Sequence, residues 1–303
     1  MAGKISGVVD ELGEPVKGTS GVAGRLSQAG LFVVCLVCAL AIFLFGPSYY
    51  KAFPTNGSSI YAAILTIVFL VAALLFRRSV KFNKYWQIAY AFCAASVVNL
   101  VSSLFAGYNT AILGFFNITM NTNQGLAIAK LYDALLVIIP ILVMVKFSGA
   151  DLGSLFLARG NLKWGLGIGF LVLFNFFTSV LIFFAPGYKD LAVLGTVIVW
   201  GALFAFSNGF MEELWMRGLF MKKLVPLIGV TGTVLVTSVW FAALHWLSVA
   251  YLPATVVPIF LVNTFTLGLA CGCLMVKTNS IWGAVLIHAA ADWFLFIATL
   301  AIR

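Results

Sequence analysis

A few ionisable residues stand where the chain is otherwise apolar: Lys130, Asp133, Glu212, Glu213, His245, His288 and Asp292. At the centre of a membrane helix each costs about 2.5–3.5 kcal/mol to insert, so each needs a reason. The 303-residue sequence has only two histidines, and both belong to this set. In Glu212-Glu213-Leu-Trp-Met-Arg217, Glu213 and Arg217 are four apart and can pair along one helix face. Glu212 is turned about 100° away and lacks that partner. Adjacent carboxylates in a low-dielectric site do not both ionise cheaply. One paired charge beside a second, differently placed carboxylate therefore suits a general base. A helix-end ion pair, with Lys222 and Lys223 following, accounts for the same residues. His288 and Asp292 are also four apart, and the carboxylate can fix the imidazole tautomer. His245 closes Phe241-Ala-Ala-Leu-His245, well inside an apolar run. Alone, either histidine reads first as a packed, hydrogen-bonded core residue. Lys130 and Asp133, three apart, read as a structural ion pair.

The elements that carry these residues follow from hydropathy. The chain is 63% hydrophobic and 9% charged, with mean hydropathy +1.10, against about 25% charged residues in a soluble domain. Apolar runs near the length of about 20 residues that spans a bilayer recur from residue 29 onward. The fold class is all-α, a polytopic bundle of eight or nine spanning helices. They are expected at 29–45, 60–76, 86–106, 125–147, 164–185, 191–210, 229–250, 255–276 and 281–302. Residues 1–28 read as a mobile tail, 29–150 as N-terminal membrane helices without a recognised motif, and 151–303 as the unit bearing the chemistry. The first apolar run ends in Phe45-Gly46-Pro47-Ser48-Tyr49 without a small-x-small cleavage site, so it reads as a retained helix. The connection 148–163 is amphipathic, and Asp151 can cap a short interfacial helix carrying Leu152, Leu155 and Phe156. It could be a gate or a plain connector. Gly165-x-Gly167-x-Gly169 and Gly268-x-x-x-Gly272 are packing patterns. The five cysteines lie in apolar stretches and read as small hydrophobes.

Depth links the polar residues. With cytoplasmic ends at Lys222, Gly229 and Ile281, Glu212 lies roughly 15 Å deep, His288 and Asp292 roughly 10–17 Å, and His245 roughly 24 Å. His245 is too deep unless its helix begins near Thr233. Residues 191–222 as one helix would run about 48 Å, longer than a hydrocarbon core of about 30 Å. That helix must tilt, protrude or break, and Ser207-Asn208-Gly209 is a natural kink.

In order, Glu212-Glu213-x-x-x-Arg217, Phe241-x-x-x-His245 and His288-x-x-x-Asp292 resemble the signature of the CPBP family. That family comprises type II CAAX prenyl endopeptidases and the Abi proteins of bacteriocin processing and immunity. The resemblance covers about residues 152–303. It implies an intramembrane endopeptidase with its site in a cavity open to the cytoplasm. Carried over, Glu212 activates the attacking water with help from His245, and Glu213 and Arg217 orient the site. His288 and Asp292 then stabilise the oxyanion. The prenyl endopeptidases have asparagine at the last position, and an ionised Asp292 cannot donate a hydrogen bond. It must be protonated, orient His288, or bind a metal. No cofactor is expected. Glu212, His245, His288 and Asp292 are the zinc-type ligand set if a divalent metal takes part.

Lysines and arginines fall in alternate loops. The N-terminus is therefore expected in the cytoplasm and the C-terminus opposite. The implied partners are a peptide or membrane-associated protein substrate and the lipid bilayer, and no nucleic acid. The substrate class expected is a CAAX-type prenylated or bacteriocin leader-type peptide. Competing readings are a silent immunity or scaffold protein and a proton-coupled transporter.

Overall fold

The computed structural model describes residues 22–46, 57–105, 107–183, 191–245 and 254–300. Ten α-helices run through them: α1 Val22–Phe43, α2 Gly57–Arg78, α3 Trp86–Phe105, α4 Tyr108–Phe115, α5 Asn123–Ser148, α6 Leu162–Phe183, α7 Leu191–Glu213, α8 Met221–His245, α9 Val257–Thr278 and α10 Trp282–Leu295. Among the described residues there is no strand. Among the described residues eight helices are long and apolar enough to cross a membrane, and a shorter apolar segment, Trp282–Ala298, lies where the ninth span was expected. Helix α4, about two turns long between α3 and α5, was not anticipated. The expected tail falls largely on residues 1–21, outside the described set, but 22–28 are already helical in α1.

Helix α10 is central, packed on α6, α7 and α9, while α8 lies between α9 and α1, and α5 joins α7 to α3. Glycine sets the closest of these contacts. A Cβ on Gly169 would meet Leu286 Cβ at 2.7 Å, and one on Gly283 would meet the Gly165 carbonyl oxygen at 2.6 Å, so α6 and α10 touch backbone to backbone. Gly167, in the same pattern, faces open space. An aromatic cluster of Phe43, Phe92, Phe220 and Trp240 ties α1 and α3 to the residue before α8 and to its last third. Exposed Ile64, Ile67, Val71, Leu74 and Leu75 on α2 form an apolar outer face, as lipid contact requires.

Three local features differ from expectation. The long run does break, but after the glutamates rather than at Ser207-Asn208-Gly209, which stays within α7. Leu214–Gly218 forms a single π-helical turn closed by Leu219 N–H to the Leu214 carbonyl at 2.9 Å, and α8 starts directly beyond it. Such turns absorb one extra residue and recur at functional sites. Helix α8 is itself broken at Gly229, whose φ of 74° and ψ of 171° are open essentially only to glycine. Lys130 does not close on Asp133. Its ammonium sits 5.3 Å over the Phe204 ring of α7, and no contact between the two charges within 4 Å occurs among the described residues.

The 148–163 connection is not a helix lying on the surface. Asp151 Oδ1 accepts from Ser154 N–H at 3.0 Å and caps a 3-10 turn, Leu152–Leu155. Leu155 and Phe156 are fully buried. Ile281 N–H bonds the Phe156 carbonyl at 3.0 Å, and Ser280 Oγ bonds the Ala158 carbonyl at 3.0 Å. The connection thus anchors the start of α10.

Candidate active site

Three elements present the polar residues. Helix α7 ends in Glu212 and Glu213, and its π turn supplies Arg217. Helix α8 carries His245 at its described end, and α10 carries His288 and Asp292. The helices approach closely because small residues let them. A Cβ on Gly209 would stand 3.0 Å from the backbone nitrogen of Ala289, so α7 and α10 are in direct contact there. On α9, a Cβ at Gly268 would meet Arg217 Nη2 and Ser238 at 3.0 Å. Gly268 therefore leaves the space that the guanidinium occupies.

Glu213 is the structural anchor. It, Arg217 and His288 are all 0–1% exposed. Glu213 Oε1 accepts from Arg217 Nη1 at 2.5 Å, and His288 Nδ1 lies 2.8 Å from the same oxygen. A carboxylate paired to arginine is an acceptor, so His288 donates from Nδ1, and its Nε2, turned toward the Glu212 and Asp292 carboxylates at 3.7 and 3.6 Å, is the second donor of an imidazolium. The Arg217 guanidinium also lies 4.6 Å over the Phe241 ring, and the His288 ring meets Phe241 edge-on at 5.3 Å. Phe241 thus acts as a wall for both cations. Two charges taken out of water this completely are tolerated only with such pairing.

Glu212 faces the other side, as the helical angle requires. Its Oε2 stands 3.7 Å from His288 Nε2 and 3.9 Å from His245 Nε2, and it has no hydrogen-bond partner among the described residues. His245 Nδ1 lies 2.9 Å from the Phe241 carbonyl oxygen, which can only accept, so Nδ1 carries hydrogen and Nε2 points to Glu212. Asp292 Oδ2 is 3.6 Å from His288 Nε2 and accepts from Asn208 Nδ2 at 2.9 Å. These residues form one cluster, His245 included. The contact of His245 with Glu212 at 3.9 Å shows that a depth counted along one straight helix does not hold for α8, which is broken at Gly229.

Asn208 is the residue that reading the sequence for titratable groups passes over. The signal was present: it is the polar residue one helical turn before Glu212, on the same face. Among the described residues no group of three or more His, Cys, Asp or Glu is disposed to hold a metal ion. Asp292 Oδ2, the oxygen nearest His288, is already engaged by Asn208.

Glutamates and histidines are gathered inside a polytopic helical membrane protein, and the comparison with known families gives the class, an intramembrane peptidase. Residues 194–294 match the family described as Rce1-like, type II CAAX prenyl endopeptidase Rce1-like, and this stretch carries a domain of that family. It runs from α7 into α10 and contains Glu212, Glu213, Arg217, His245, His288 and Asp292. No curated protein and no solved structure gives a significant match to the chain.

Proposed function

We propose that the protein hydrolyses a peptide bond by water activated on Glu212, with Glu213, Arg217, His245, His288 and Asp292 completing the site. What supports the reading is the arrangement around Glu212 Oε2, an unpaired carboxylate oxygen between two imidazole Nε2 atoms at 3.7 and 3.9 Å. Both gaps are longer than a hydrogen bond and are of the length that one water bridges. In the proposed step Glu212 takes a proton from that water as its oxygen attacks the carbonyl carbon. His245 helps to orient the water. His288 Nε2 faces the developing oxyanion, and Glu213 with Arg217 holds the His288 ring. The proton on Glu212 then passes to the leaving amine. No step is routed through a metal.

Two coarser features belong to the same proposal. The substrate is a CAAX-type prenylated or leader-type peptide, reached from the cytoplasmic side where the basic loops gather. The catalytic unit extends from about residue 151. This fits the hydrogen bonds that fasten 156–161 to residues 278–281.

The test is cleavage by detergent-purified protein of a panel of prenylated CAAX peptides and leader peptides, read by mass spectrometry. Wild type is expected to cut at least one, and Glu212→Gln none, with unchanged size-exclusion behaviour. Activity unaffected by chelator is expected. Equal turnover by Glu212→Gln would overturn the assignment of the base, and loss with chelator would overturn the metal-free step.

A further inference from the structure

We infer that Asn208 is a further catalytic residue of this hydrolysis: its side-chain amide, held by Asp292, donates to the oxygen that becomes negative as water attacks. The inference rests on the proposed reading of Glu212 as the base.

Asn208 stands one turn before Glu212 on α7, so both side chains share a face. Its amide reaches Asp292 across the α7–α10 contact that Gly209 permits. The chemistry of the pair is asymmetric. An ionised Asp292 can only accept, whereas the amide nitrogen has two N–H groups and spends one on Asp292. The donor left over belongs to Asn208. Its orientation is fixed, because turning the amide over would set Oδ1 against the carboxylate oxygen. That fixed orientation leaves Asn208 Oδ1 buried with no hydrogen-bond partner among the described residues. Buried polar atoms are seldom left unpaired without a function for the group. Asp292 Oδ2 lies 3.6 Å from His288 Nε2, and the same Nε2 lies 3.7 Å from Glu212 Oε2. The amide is therefore in the layer where the carbonyl must sit.

The step balances without a further reagent. Water loses a proton to Glu212, and its oxygen bonds the carbonyl carbon. The carbonyl π electrons move onto oxygen, where Asn208 N–H and His288 Nε2–H receive them. Collapse re-forms the carbonyl and expels the amine, which takes the proton from Glu212. Asp292 is a positioning residue, acting through Asn208.

The experiment measures kcat and KM on a panel peptide cleaved by wild type, for Asn208→Ala, Asn208→Asp, Asp292→Asn and the swap Asn208→Asp with Asp292→Asn. Removing one oxyanion donor lowers kcat about 10²–10³-fold, and KM is expected to move less than about threefold because the contact forms only in the transition state. Asn208→Asp, with two facing carboxylates, is expected to be at least as inactive. The swap restores one amide and one carboxylate, and is expected to regain at least about tenfold in kcat over Asn208→Asp. Where Asn208→Ala lowers the unfolding temperature, the swap decides. A kcat for Asn208→Ala within about threefold of wild type, or a swap no better than Asn208→Asp, overturns the inference. Glu212→Gln is run alongside. If it is inactive while Asn208→Ala is fully active, only the role of Asn208 falls; if it is active, the reading of the site falls first.

Discussion

At the scale of single residues, the site separates two neighbouring carboxylates by giving them opposite surroundings. Glu213 is sealed and neutralised by Arg217 and His288, while Glu212, turned about 100° away, meets only imidazole nitrogens at a distance. This division was legible in the sequence, because the spacing of Glu213 and Arg217 and the angle between adjacent helical residues fix it. Asn208 was not, since an uncharged amide in an apolar helix resembles a packing residue until its partner across the bundle is known. The pairing carries a stability prediction. Arg217→Met leaves Glu213 buried without its cation, and denaturant unfolding in detergent should show a loss of about 3–5 kcal/mol. Arg217→Lys keeps the charge and should lose distinctly less. Equal stability of Arg217→Met and wild type would show that the pair does not hold the fold.

At the scale of elements, hydropathy located most helix starts to within about three residues, because about 30 Å of hydrocarbon demands a minimum run of apolar side chains, but α1 and α8 begin at Val22 and Met221, ahead of the expected 29 and 229. It did not locate the breaks. The π turn at Leu214–Gly218 and the kink at Gly229 depend on how the backbone is satisfied locally, which apolar periodicity does not report. They matter to function, since the turn sets Arg217 beneath Phe241 and the kink lets α8 deliver His245 to Glu212. The packing glycines divided in the same way. Gly165 and Gly169 serve a helix contact while Gly167 does not, and a three-glycine pattern alone cannot tell them apart. A Cβ at Gly229 would have space but not a permitted backbone, so Gly229→Ala should cost about 1–3 kcal/mol in unfolding free energy. The same substitution at Gly167, which has both space and an ordinary helical backbone, should be neutral. Parity between the two variants would contradict the account of the kink.

At the scale of the whole molecule, the polar cluster sits between α7, α8 and α10; α1 packs on α8, α5 on α7 and α6 on α10, and among the described residues none of these earlier helices supplies a member of the cluster. Phe43 and Phe92 reach from α1 and α3 into the packing behind the π turn, a supporting role that no motif in 29–150 announced. The orientation inferred from charge makes a direct prediction. Lys81 and Met120 lie on either side of a single crossing, α3. With the five native cysteines replaced, a cysteine at 81 should react with an impermeant maleimide only from the cytoplasmic side, and one at 120 only from the other. The reverse pattern would invert the topology. The central claim is that Glu212 activates water rather than attacking the peptide itself. One measurement separates the two: a single turnover with enzyme in excess, in water enriched in oxygen-18. Water activation by Glu212 puts one heavy oxygen in the new carboxylate of the product and none in the peptide containing Glu212. Product without the label, with heavy oxygen in the Glu212 carboxylate instead, would contradict it.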